Sequence, residues 1–75
     1  MITHGDTVAT DIGRAVREAR RAQGLRQDEL ALVAAVSTRA VHQVEAGKPT
    51  SRLDVIERIV AALGLRLGVE QRPDS

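Results

Sequence analysis

Ser37, His42 and Glu45 are the residue types of a nucleophile, a base and an orienting acid, and they fall within one short segment. They make no catalytic triad: three residues on one short helix do not converge on a substrate, and no pocket-forming sequence surrounds them. His4 and His42 are equally poor metal ligands, because nothing else in the chain supplies ligand spacing and there is no cysteine. No catalytic residue, metal or cofactor is therefore expected, and the chain reads as a non-enzyme. What remains is the chemistry of cations and amides. An arginine matches the O6 and N7 acceptors of guanine in bidentate fashion, and a glutamine matches N6 and N7 of adenine. Arg39, Gln43 and Lys48 carry such groups in the middle of the chain. Arg14, Arg17 and Arg21 cluster nearer its start, where the plainer reading is a solvated helix face.

The elements that must position these groups are small ones. A chain of 75 residues makes one domain, and a domain of that size buries only about 60% of its unfolded surface. A partner subunit is a natural source of further burial. Phe, Tyr and Trp are absent, so the core must be built from Leu, Ile, Val and Ala, which suits closely packed short helices. The net charge of +1 means that any nucleic-acid surface must arise from uneven distribution rather than excess. No apolar run approaches the roughly 20 residues of a membrane span, and no basic-then-apolar leader opens the chain. A soluble, cytoplasmic protein is the expectation.

Residues 1–10 lack periodicity and predict a flexible arm. From Asp11 the pattern is helical, with Ile12, Val16 and Ala19 on one face and Arg14, Arg17, Glu18 and Arg21 elsewhere. Thr10 or Asp11 is placed to cap this helix, and Gly24 to end it in a left-handed conformation. A second helix is predicted over Gln27 to Ala34, with Asp28 and Glu29 at the positive end of its dipole. After a break at Ala35 and Val36, Ser37 is placed to cap a third helix from Thr38 to Ala46, with Val41 and Val44 inward. Gly47 to Thr50 form a stop-and-turn signal. Ser51 and Asp54 fit a variant capping box for a fourth helix whose apolar stripe is Leu53, Ile56, Ile59, Val60 and Leu63. Gly64 closes it.

Two short helices separated by three or four residues are the minimum that sets one helix in a major groove while the other braces across the backbone. The ordered series Ile12-Gly13, Val16-Arg17, Arg20, Gly24 to Gln27, Glu29 to Ala31, Val36-Ser37, Val41, Val44-Glu45 and Gly47-Lys48 resembles the Xre/Cro/phage-repressor helix-turn-helix family. The resemblance spans about residues 12–63. It implies an all-α, lambda-repressor-like bundle of four or five helices over residues 11–64. It also assigns roles. Ser37, Thr38, Arg39, His42 and Gln43 would face the groove, with Arg39 and Gln43 as the base readers. Gln27, Lys48 and Thr50 would hold phosphates. Arg20 and Glu45 match a pair that joins the first and third helices of relatives. Two positions depart from the pattern: Ala35 stands where glycine is usual in the turn, and Arg26 stands where Thr or Ser usually caps the second helix.

Beyond Gly64 the period changes. Leu65, Leu67 and Val69 alternate with Arg66, Gly68 and Glu70, as in a strand with one apolar face. An isolated strand needs a partner for its backbone groups, and a second copy across a twofold axis supplies one. Residues 65–71 are thus expected to dimerise, with residues 72–75 a disordered tail. That tail, with Thr38-Arg39, Glu45 to Thr50 and Arg52-Leu53, resembles the HipB-type antitoxins. The resemblance implies a homodimeric repressor on a palindromic operator that regulates its own operon and binds a HipA-like Ser/Thr kinase toxin. The alternatives are a free-standing regulator of the same family without a toxin, and a protein-interaction adaptor that has lost DNA binding.

Overall fold

A computed structural model describes residues 4–66 of the chain. Those residues form an all-helical bundle of α1 (His4–Ala22), α2 (Gln27–Ala34), α3 (Thr38–Glu45) and α4 (Leu53–Ala62). Among them there is no strand, and no helix long and apolar enough to cross a membrane. α3 packs against α1 and α2, and α4 closes the bundle against α2 and α3.

The core is aliphatic throughout. Val16 from α1, Leu30, Ala31 and Ala34 from α2, Val41 and Val44 from α3, and Ile59, Val60 and Leu63 around α4 are buried together. Ile12, Ala19, Leu25, Val36 and Ile56 pack around them. Helical spacing puts each set on one face, and apolar burial at about 25 cal/mol per Å² drives the faces together. Close approach needs small residues as well. A Cβ on Gly13 would stand 2.5 Å from the Val44 carbonyl oxygen and 2.8 Å from that of Glu45. Hydrogen alone fits there, so Gly13 lets α1 lie directly on the last turn of α3.

α1 begins earlier than residue-by-residue preference suggests. An arm over residues 1–10 was the expectation, yet the helix runs back to His4, so neither Thr10 nor Asp11 caps it. The loop after α3 explains the difference. A Cβ on Gly47 would lie 3.2 Å from the Thr10 Cα, so this loop closes onto α1 at Thr10. Such tertiary contact overrides weak local propensity. At the other end Gly24 adopts φ 71° and Leu25 N–H donates to the Arg20 carbonyl at 3.1 Å, a left-handed helix stop.

α2 occupies Gln27–Ala34 and α3 begins at Thr38. The capping box predicted for α4 does not form. Arg52 is the N-cap, without a side-chain cap bond, and Ser51 belongs instead to a turn closed by its N–H on the Lys48 carbonyl (3.3 Å). The Ser51 hydroxyl is buried there without a hydrogen-bond partner. Leu53, expected in the apolar stripe, is 63% exposed, and Val55 packs on the core from the same turn.

The tail differs too. Leu65 and Arg66 have no regular structure, and the Leu65 N–H is spent on the Val60 carbonyl at 2.9 Å, in the stop that follows α4. Leu65 therefore completes a helix end rather than starting a strand. Leu67 and Val69, the remaining residues of the proposed dimerisation strand, lie outside the described residues, as do residues 72–75.

Ala35, where glycine is usual, sits in the left-handed region at φ 58°, ψ 44°. Its N–H closes on the Leu32 carbonyl (3.3 Å) and that of Val36 on the Ala31 carbonyl (3.0 Å), so the α2–α3 turn keeps its shape with a Cβ in a crowded conformation. Left-handed geometry costs a non-glycine residue about 1–2 kcal/mol. Ala35→Gly should accordingly raise stability by about 1 kcal/mol, or about 4–8 °C in Tm for a domain this small. Thermal unfolding followed by far-UV circular dichroism checks this; an unchanged or lower Tm means that the turn carries no strain.

Candidate nucleic-acid interface

The interface is built on a lock between α1 and α3. Arg20 Nε donates to Glu45 Oε2 at 2.6 Å and Nη2 to Oε1 at 3.0 Å, a bidentate pair. Nη1 donates to the Leu25 carbonyl at 2.8 Å, and Gln27 Nε2 adds a bond to Glu45 Oε1 at 3.2 Å. One guanidinium and one carboxylate thus join α1, the α1–α2 loop, the start of α2 and the end of α3. The side chains are only 11% and 5% exposed. Burial opposes ionisation of Glu45, but the bonds from Arg20 and Gln27, with the charges of Arg20 and Arg17, outweigh it and hold its carboxyl below the ordinary glutamate value. The bond to Glu45 likewise raises Arg20, against the opposing effect of burial.

With Val41 and Val44 in the core, α3 turns its other face outward. Ser37 caps it, its Oγ accepting from Ala40 N–H at 3.0 Å, so this hydroxyl has a structural task at the head of the helix. Thr38, Arg39 and His42 are exposed and Gln43 is half-buried. Arg39 stands three residues before His42 and four before Gln43, which puts all three on one helix face. Gln43 and Thr50 line a common groove with Arg52, so the turn before α4 extends the surface of α3. Lys48 is exposed beside it, its backbone N–H bonded to the Gln43 carbonyl at 3.1 Å.

The residues at the head of α2 are engaged differently from expectation. The Arg26 N–H donates to Glu29 Oε1 at 2.8 Å, which gives α2 half of a capping box despite the missing Ser or Thr. Its guanidinium donates to Asp28 Oδ1 at 3.0 Å, raising Arg26 and lowering Asp28 relative to their ordinary values. Gln27, expected on a phosphate, aims its side chain at Glu45. Three residues outside the expected contact set also border this surface. Arg52 joins the groove of Gln43 and Thr50, and Arg17 and Arg21 line a polar cleft with Gln27 and His42. The spacing of Arg17 and Arg21 on α1 was visible; that the cleft opens beside α3 follows only from the packing. Among the described residues no group of three or more His, Cys, Asp or Glu is gathered to hold a metal ion.

Comparison with known proteins places this geometry in context. Residues 11–73 match a family described as a helix-turn-helix domain. The chain is also 44% identical over 59 residues to an uncharacterized HTH-type transcriptional regulator of Sinorhizobium fredii, a match that covers 79% of this chain and 78% of that protein.

Proposed function

The chain belongs to the helix-turn-helix domain family, and from that premise we propose that it is a transcriptional regulator that sets α3 in the major groove of DNA. The observation that supports this most directly is the outward face of α3. Thr38, Arg39 and His42 are exposed there, capped below by Ser37 and braced by the Arg20–Glu45 lock. Arg39 and Gln43 would read base edges, while Lys48 and Thr50 would hold flanking phosphates. The relative from Sinorhizobium fredii, named as a transcriptional regulator, supports the same role.

The finer role proposed is a homodimeric repressor on a palindromic operator, acting as the antitoxin of a type II module with a HipA-like kinase toxin. Its support is the likeness of Thr38-Arg39, Glu45 to Thr50 and Arg52-Leu53 to HipB-type antitoxins. A kinase-like reading frame found beside the gene would favour that role over a free-standing regulator, and its absence would favour the regulator.

Fluorescence anisotropy with the chain's own upstream region, at several salt concentrations, tests the DNA reading. Arg39→Ala should cost about 1–3 kcal/mol on the preferred sequence and relax preference at one base pair. Lys48→Ala should weaken all sequences equally and lower the salt slope by about one. Loss of all sequence preference at physiological salt in the unaltered protein would overturn operator binding, leaving a protein-interaction adaptor as the better description.

A further inference from the structure

We propose that the cleft between α1 and the α2–α3 pair, flanked by Arg17 and Arg21, is a second backbone-phosphate site, supplied by a helix outside the helix-turn-helix. The inference rests on the DNA reading above and deepens it. Three observations carry it. Arg17, Arg21, Gln27 and His42 line one polar cleft, with Arg20 and Glu45 behind them. The charges at the back cancel: Glu45 accepts from Arg20 through both oxygens, and the third Arg20 donor group is spent on the Leu25 carbonyl. What is left over is positive, because Arg17 and Arg21 are exposed and have no ion-pair partner among the described residues.

The cleft is also in the right place. His42 belongs both to its wall and to the outer face of α3, so the cleft adjoins the proposed base-reading surface. Arg17 lies near enough to Glu45 for its charge to favour the ionised carboxylate, which locates its side chain on the cleft side of α1. Two arginines four residues apart stand one helical turn from each other and can converge on one tetrahedral anion. Gln27 Nε2 is committed to Glu45, so the two arginines are the groups that would hold the anion. A phosphate there would be gripped from α1 while α3 enters the groove, fixing the angle at which α3 docks.

The test is anisotropy on the upstream duplex and on a duplex of scrambled sequence, across a salt series, with the full chain. Arg17→Gln combined with Arg21→Gln should weaken both duplexes by the same factor, roughly tenfold, the loss of one charge-assisted contact. The slope of log affinity on log salt should fall by about one, with sequence preference unchanged. Arg17→Lys with Arg21→Lys should restore most of the slope, since lysine keeps the charge. Both arginines are exposed, and matching far-UV spectra and melts establish that the variants fold. If the unaltered protein binds with preference and the Gln pair leaves affinity and slope unchanged, the cleft is a solvated face and this proposal fails alone. If the unaltered protein binds neither duplex, the DNA reading fails with it.

Discussion

Glu45→Ala should destabilise the domain by about 3 kcal/mol and abolish a fixed α1–α3 geometry. Removing one partner of a buried ion pair costs about 3–5 kcal/mol because the other charge stays behind unpaired. The lower end applies here, since the Arg20 side chain retains 11% exposure and meets some water. Against a total of about 0.05–0.15 kcal/mol per residue, that loss consumes a large part of what holds 75 residues folded. Urea unfolding followed by far-UV circular dichroism measures it, and a double-mutant cycle with Arg20→Met separates the pair from its surroundings. A near-neutral Glu45→Ala would show that the lock orients the helices without stabilising them.

Acid should have the same effect reversibly. The folded-state pKa of Glu45 lies below its ordinary value of 4.5. A lowered carboxylate contributes stability that is complete above the unfolded value and is lost as pH falls through the folded one. This contribution should therefore be constant near neutrality and fade below about pH 4.5. Glu45→Gln should remove that part of the pH dependence.

Gly13→Ala reverses the usual sign of a helix substitution. Alanine is about 1 kcal/mol better than glycine inside a helix, so propensity alone predicts a stabilised α1. The packing predicts the opposite. The new methyl would press on the Val44 and Glu45 carbonyl oxygens at 2.5 and 2.8 Å, and these are backbone atoms that move only with α3 itself. Overpacking of this kind costs about 1–3 kcal/mol and more where backbone must shift. A net loss of stability is expected, together with weaker DNA binding, because α3 is displaced from the position Arg20 holds it in. A higher Tm for Gly13→Ala would mean that α1 and α3 are less closely apposed than described.

The parts of this fold that were legible share a property: their signals are local. α2 follows Gln27 to Ala34 because the acidic first turn and the break at Ala35 are both written into neighbouring residues. Ser37 is the cap of α3 for the same reason. The strained turn was visible as an alanine in a glycine position. What escaped depends on which of several available contacts the packed chain selects. α1 extends to His4 across residues with poor helical character, where the loop at Gly47 closes on Thr10. Ser51 has the composition of a cap but is drawn into a turn by Lys48, which also leaves Leu53 outside the core. Within the candidate site, Arg39 and Gln43 could be placed on a shared face from spacing. The diversion of Gln27 toward Glu45 could not, because it depends on the end of α3 packing beside the start of α2, while spacing leaves Arg26 a choice between the adjacent acids Asp28 and Glu29.

Besides sharing the apolar core, α1 is tied to α3 by the bare backbone approach at Gly13 and by the guanidinium of Arg20. Seven residues separate them, a spacing of about 10 Å along the axis. Two attachments fix a direction where one would leave a pivot, so the 19-residue α1 and the last turn of α3 behave mechanically as a single lever. Beyond Gly13 the helix runs back to His4, about 13 Å, and the loop at Gly47 meets it on the way at Thr10. A load on that end of α1 would reach α3 as a tilt, and a tilt of α3 would in turn redirect that end of α1. The two ends are coupled reciprocally, as thermodynamic linkage requires.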